Sequence, residues 1–254
     1  MPTFASYPSL VDRVVLVSGG ATGIGAGFVT AFARQGAKVG FLDVDERGAE
    51  DLLHVLADAP HVPRFVRCDV TDLAAFEASI DAMRTVLGAP TVLVNNAAND
   101  VRHTLEGTTA AAFEASLAVN LRHQYFAIQA VAEGMREAGG GSVICLGSTG
   151  WMIKNDCYPM YAMAKAGVHG LVNGLARSLG RDHIRINCLV PGWVITDKQR
   201  RLWLDAEGEA EIARRQCLPG HLHVEDLARA ALFLAADDSR MCTGQSFIVD
   251  GGWV

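Results

Sequence analysis

Short apolar runs rich in β-branched residues recur along the chain at 14–18 (VVLVS), 38–43 (KVGFLD), 63–67, 91–95 (TVLVN), 142–147 (SVICLG), 184–189 (IRINCL) and 246–249. Between them lie stretches of helical length and period. Phe28, Ala31, Phe32 and Gln35 follow the 3.6-residue spacing in one, and Leu73, Phe76, Ile80 and Met83 in another. Strands alternating with helices predict βαβ units and a parallel sheet. The strand segments are apolar throughout rather than alternating, as expected where helices cover both faces. No repeat, low-complexity tract or Pro/Ser linker divides the chain, and the Gly139-Gly140-Gly141 run reads as a helix stop ahead of a strand. The pattern predicts one α/β domain over residues 1–254, doubly wound, with a parallel seven-stranded sheet and helices on both faces.

One window could pass for something else. From Val14 to Ala33 there are 20 residues without a charge, which is membrane-spanning length. Five of them are glycines clustered in the middle, so the window reads as strand, turn and helix, and no membrane association is expected. Across all 254 residues glycine occurs 26 times, an excess that asks for an explanation by position. The formal net charge of -6 leaves no basic surface to track a nucleic acid, and an apolar half excludes disorder. Met1 to Arg13 has neither the charged nor the apolar region of a secretory leader. The six cysteines form no CxxC pair, which favours free thiols in a reducing cytoplasm over a zinc site or a disulfide framework. His103, His123, His221 and His223 are not spaced as metal ligands, and surface or capping roles are expected for them.

The first strand runs into Ser18-Gly19-Gly20-Ala21-Thr22-Gly23-Ile24-Gly25 and then a helix. A glycine-rich turn lets backbone N–H groups approach a pyrophosphate, and the helix N-terminus adds positive partial charge. A plain tight turn has the same composition, so the context matters. The second strand ends at Asp43, eighteen residues past Gly25, where a carboxylate would accept hydrogen bonds from adenosine ribose hydroxyls. A 2′-phosphate there would meet like charge, with no Arg or Lys at 20–24 or 44 to offset it. NAD is thus expected over NADP, the other reading of Asp43 being a turn or helix cap.

Tyr161 and Lys165 stand four apart in a helical stretch and so share a face. Ser148 lies 13 residues before Tyr161 at the end of the fifth strand, where α/β sheets present ligands. A phenol is a poor base at neutral pH, and a neighbouring ammonium stabilises its phenolate. Ser148 would orient a substrate oxygen, while Tyr161 takes its proton as hydride leaves the carbon. Lys165 would also hold the nicotinamide ribose.

With these residues in that order, the chain resembles the short-chain dehydrogenases/reductases, a Rossmann-like family, over about residues 10–254. The cofactor turn is Gly19-x3-Gly23-Ile24-Gly25. Asp69-Val70 follows the third strand, Asn95-Asn96-Ala97 ends the fourth, and Pro191-Gly192, Thr196, Thr243-Gly244-Gln245 and Val249-Asp250-Gly251-Gly252 close the series. The resemblance implies that Asp69 meets the adenine amine and that Val194 and Thr196 contact the nicotinamide amide. It also implies that Asn120 completes a tetrad by holding a water that links Lys165 to solvent. Two departures are small: Ser18 stands for the usual Thr, and Ala98 for the usual Gly. Homotetramers common in the family imply packing through helices around 110–136 and 158–179.

Asn99, Asp100, Trp151, Asn155, Trp193 and the stretch from Lys198 to Arg201 flank the tetrad. They are polar, with aromatic surfaces suited to stacking on a sugar ring. The same tryptophans would also serve as core or interface residues, and 198–201 reads equally as a solvated helix face or a lid over the cofactor. The segments NNAANDVRH (95–103), NLRH (120–123) and 198–218 resemble NAD-dependent aldose 1-dehydrogenases, the D-xylose type in particular. That resemblance implies oxidation of the anomeric carbon of a cyclic sugar to a lactone. The alternatives are another chemistry on this fold, such as 3-oxoacyl reduction, and a non-catalytic dinucleotide sensor.

Overall fold

The computed structural model describes residues 5–254; Met1–Phe4, the first part of the stretch read as lacking a leader, lie outside the described residues. The described strands are β1 (Val14–Ser18), β2 (Lys38–Asp43), β3 (Arg64–Arg67), β4 (Val92–Asn95), β5 (Gly141–Leu146), β6 (Ile184–Pro191) and β7 (Ser246–Val249). They form one parallel sheet in the order β3-β2-β1-β4-β5-β6-β7. The helices are α1 (Gly23–Arg34), α2 (Glu46–Val55), α3 (Leu73–Leu87), α4 (Ala110–Leu117), α5 (His123–Glu137), α6 (Pro159–Gly180), α7 (Asp197–Leu202), α8 (Ala206–Arg215) and α9 (Val224–Ala235).

The continuous apolar strands are buried on both faces, as their pattern requires. On one face Phe28, Phe32, Phe41, Leu227 and Leu232 join strand residues such as Val17 and Val94. On the other, Leu16, Leu93 and Val143 meet Phe76, Ile80, Ile128, Val168 and Val172. Burying each such side chain stabilises the fold by about 1.5–3 kcal/mol, so the two layers hold the sheet firmly on either side. Helix starts follow their sequence signals: Asp45, Asp72 and Thr109 accept hydrogen bonds from Gly48, Ala75 and Ala112. The triple glycine acts as foreseen. The α5 helix stops at Glu137, Gly139 and Gly140 take φ of 81° and 143°, and β5 begins at Gly141.

This topology sets the site. The chain winds from β1 outward to β3 and then crosses back to β4, so β1 and β4 lie side by side with Ser18 opposite Asn95. The loops leaving their C-terminal ends diverge and open a crevice. The uncharged window is β1, its turn and α1, and among the described residues no helix is long and apolar enough to cross a membrane. All six cysteines are free, three of them buried. No cluster of His, Cys, Asp and Glu among the described residues has metal-binding geometry.

Candidate active site

The glycine turn is held from three sides. The N–H groups of Gly19 and Gly20 donate to Leu42 O at 2.7 and 3.2 Å, tying the turn to the end of β2. Asp43 accepts from Ala21 N at 2.9 Å through one oxygen, and from Val44 N and Asp45 N through the other. The carboxylate therefore fastens the turn, the second of the two roles considered for Asp43, and keeps an acceptor position open on the oxygen bonded to Ala21. From the other flank, Asn96 donates to Ser18 O and Gly19 O, and the Ser18 hydroxyl accepts from Asn96 N and Ala97 N. Serine in place of the usual threonine keeps this junction intact.

The cradle fits a dinucleotide. Gly19 and Gly23 sit at φ +66° and +55°, where side chains are strained, and a Cβ on Gly25 would lie 1.8 Å from Gly19 O. No side chain caps the start of α1, so its first amides are free to bind an anion. Ile24 is part-buried beside them, and Thr196 packs 3.5 Å from the position a Gly23 Cβ would occupy. Thr196 Oγ1 also caps α7 by accepting from Gln199 N. Pro191 ends β6, Gly192 lies against Asp250, and Val194 pairs with Leu222. At the far end Asp69 binds Thr71 through one oxygen, beside buried Val70.

Ser148, Tyr161 and Lys165 come together as expected. Ser148 follows β5, its hydroxyl accepts from Gly150 N, and it lies near enough to the Tyr161 phenol to favour its ionised form. Lys165 is only 1% exposed; its ammonium donates to Leu146 O at 2.7 Å and stands 5.6 Å from the Tyr161 ring centre. Burial pushes Lys165 down to about 8. It also pushes the Tyr161 phenol up, with the Ser148 hydroxyl opposing and the charge of Asp100 adding. In the protein alone, then, desolvation outweighs the help a nearby ammonium was expected to give.

Asn120 is fully buried in a π-helical turn at 118–122 between α4 and α5. Its Oδ1 accepts from Asn99 N, and its Nδ2 donates to Asn99 O and Ser116 O. Both amide hydrogens are thus committed to backbone, and the side chain clamps Asn99 at the crevice.

On the substrate side the structure distributes the candidates unevenly. Lys198 binds Asp100 at 2.5 Å, and Trp193 Nε1 donates to Gln199 Oε1 at 2.9 Å while its ring meets Trp253. Asn155 accepts from Cys157 N and bonds Tyr158. Trp151 lies at the end of the short helical turn that follows Ser148. Its indole donates to His169 Nε2 at 3.2 Å, two helical turns further along α6.

Surface or capping roles hold for His103 and His221, which bond Met160 N and Glu209. His123 corrects that expectation. It is 0% exposed, contacts Ala97 O through Nε2 at 3.0 Å, and is pushed down to about 3 by burial, so it is a neutral strut beneath the cofactor turn. Nothing in its spacing could have distinguished it. The same is true of Arg102, whose guanidinium stacks 3.5 Å over Trp203.

A family model described as Enoyl-(Acyl carrier protein) reductase matches residues 19–254. With the relatives below, this places the chain in the short-chain dehydrogenase/reductase family, whose members are oxidoreductases that bind a nicotinamide cofactor. Among them, D-xylose 1-dehydrogenase of Caulobacter vibrioides is 46% identical over 249 residues, covering 98% of both chains. "Probable galactose dehydrogenase GalD" of Rhizobium meliloti is 45% identical over 98% of this chain and 97% of its own. A solved 7α-hydroxysteroid dehydrogenase complexed with NADH and a 7-oxo bile acid superposes with a TM-score of 0.92 at 28% identity, covering 97% of each chain.

Proposed function

We propose that this chain is an NAD-dependent dehydrogenase that oxidises the anomeric carbon of a cyclic aldose, D-xylose or a similar sugar, to its lactone. The observation that carries the chemistry is the convergence at the crevice of Ser148, at the end of β5, with the buried Lys165 ammonium held on Leu146 O 5.6 Å from the Tyr161 ring. The sugar comes from the names of the two relatives that match nearly the whole chain at 45–46% identity, and the polar groups around the crevice agree with it.

Gly19, Gly23, Ile24, Gly25, Asn96, Ala97, Pro191, Gly192, Val194 and Thr196 would line the cofactor, with Asp43 at its ribose and Asp69-Val70 at its adenine. When bound, NAD supplies the acceptor for hydride from the anomeric carbon. Ser148 donates to or accepts from the sugar hydroxyl and fixes its direction. Tyr161, as phenolate, takes that hydroxyl's proton while the carbon–oxygen double bond forms. Lys165, anchored to Leu146 O, keeps its charge beneath the phenol, and Asn120 holds Asn99 at the substrate edge. Because the base form of Tyr161 is required and burial pushes the phenol's ionisation to higher pH, the oxidation rate should climb with pH through the neutral range.

Asp43 supports NAD over NADP by like-charge repulsion of a 2′-phosphate. Exposed Phe113, Tyr125, Phe126 and Met163 on α4 to α6 support association as a homotetramer, and six unpaired thiols support a cytoplasmic setting.

The test is a panel of aldoses, secondary alcohols and 3-oxoacyl compounds with NAD and NADP, read by absorbance of the reduced cofactor. Aldoses with NAD should give the highest kcat/KM, and Tyr161→Phe should lower kcat by about 10²–10⁴-fold. Turnover of acyl substrates without aldoses would remove the sugar reading, and faster NADP reduction would remove the role given to Asp43.

A further inference from the structure

Residues 147–151 carry Ser148 away from the end of β5, and the shape of this short segment sets the direction of its hydroxyl. Gly147 N donates to Leu189 O at 2.9 Å, which ties one end to β6. In the middle the Ser148 hydroxyl accepts from Gly150 N at 3.0 Å, and Met152 N donates to Thr149 O. The other end is Trp151, 40% exposed and so held only weakly by burial. His169, part-buried one turn past Lys165 on α6, reaches both ends. Its Nε2 accepts from Trp151 Nε1 at 3.2 Å, with the rings edge to face and 5.2 Å apart, and a Cβ on Gly147 would lie 3.3 Å from the same nitrogen. Cys188 Sγ stands 3.8 Å from Nε2, and on the other side of the ring Nδ1 meets Ser246 Oγ at 2.9 Å, at the start of β7. An indole N–H only donates, so Nε2 must accept; the ring's proton then stands on Nδ1 and is donated to Ser246.

We infer that His169 is a positioning residue for Ser148: its neutral ring, oriented by Ser246, latches Trp151 and so holds the 147–151 turn in the shape that aims the Ser148 hydroxyl at the substrate oxygen. The inference rests on the role proposed for Ser148. A group that orients a reacting atom must be kept within a fraction of an ångström, and side chains that touch neither reactant do that work by fixing the segment it stands on. The indole has one N–H and spends it on His169, so this end of the turn is fixed by that bond. Tyr161, Lys165 and His169 stand at i, i+4 and i+8, so one face of α6 carries the base, its ammonium and the latch. Ser148 on the β5 loop and Tyr161 on α6 thereby gain a common support, although 13 residues of chain separate them.

His169→Leu removes the acceptor and keeps the space filled. On whichever substrate of the panel turns over, it should lower kcat about fivefold, the size of one neutral hydrogen bond, while the Kd for NADH holds. His169→Gln, whose Oε1 can accept from the indole, should restore most of that loss. Trp151→Phe removes the donor at an exposed position, where folding is least disturbed; it should cost a like amount, and the double variant no more than either single one. In a Ser148→Ala background, His169→Leu should leave the residual kcat unchanged, because the hydroxyl it positions is gone. The bond is read without turnover from the Trp151 indole N–H by NMR of isotope-labelled protein, the signal being assigned by its loss in Trp151→Phe. Its exchange with solvent should be slow in the wild type and in His169→Gln, and fast in His169→Leu. Were no aldose oxidised, the functional reading alone would fail; fast exchange in the wild-type protein would overturn the latch itself. A full kcat loss in the Ser148→Ala background would also overturn the inference. So would an unmoved kcat with a raised sugar KM, which would make Trp151 a substrate contact instead.

Discussion

The two walls of the crevice are built on different principles. The cofactor wall is made of backbone: strand ends from β1, β2 and β4, a glycine turn hydrogen-bonded to Leu42, and short polar side chains such as Ser18 and Asn96 that fasten one strand end to the next. The wall proposed for the substrate is made of longer side chains that meet at their tips, Asp100 with Lys198 and Arg102 with Trp203, over loops that are partly exposed. A wall of backbone tolerates almost no change at its tight points. One held by exposed side-chain bridges can be retuned by single substitutions at modest cost. A family that binds a nicotinamide cofactor while its members differ in substrate gains from that asymmetry.

The sharpest way to break the comparison is at Gly25. Its Cβ would stand 1.8 Å from Gly19 O and 2.7 Å from Asn96 Nδ2, so Gly25→Ala must push the turn apart. Overpacking of this kind costs about 1–3 kcal/mol, which in a chain of this size lowers Tm by several degrees. Calorimetry should record that fall, and binding read by NADH fluorescence should be lost altogether. Unchanged NADH affinity would show that the cofactor wall is more pliable than its geometry implies.

At Asp43, the cofactor-wall side chain proposed to set specificity, the expected effect is smaller. Asp43→Ser removes the charge that repels a 2′-phosphate and the acceptor for Ala21 N. The kcat/KM for NAD should fall about 10–100-fold, matching the loss of one or two charge-assisted hydrogen bonds. The ratio of NAD to NADP efficiency should fall further than that for NAD alone. A ratio that stays put would leave Asp43 as a turn fastener only.

The same asymmetry explains what could be read from the sequence. Strand positions were legible because period and burial coincide: β1 and β2 fall where the apolar runs do, β5 lies one residue earlier than expected, and β6 continues to Pro191. The glycine turn and the Ser148–Tyr161–Lys165 set were legible because their chemistry fixes their spacing. His123 was not, since a histidine 18 residues ahead of the nearest strand carries no mark of being 0% exposed; only the π-helical turn before it aims the ring at Ala97 O. The bond of Trp151 to His169 was hidden for a related reason. The tryptophan's nearness to Ser148 in sequence says nothing of the side on which His169 waits. Contacts fixed by tertiary geometry alone leave no local signature.

The gentlest test separates the walls most cleanly. Arg102 stacks its planar guanidinium 3.5 Å over the Trp203 ring just beyond α7, while Lys in its place would keep the charge and lose the flat contact. A partly exposed cation–π contact is worth about 0.5–1 kcal/mol, so Arg102→Lys should raise KM for the aldose two- to fivefold. The Kd for NADH should hold within error, because no backbone of the glycine turn depends on this bridge. kcat should move little too, since the change leaves Lys165 on Leu146 O and Asp100 on Lys198. Measuring KM and Kd on the same preparation decides the point. Equal weakening of both would mean that α7 braces the cofactor as well as the sugar, and that the two walls act as one.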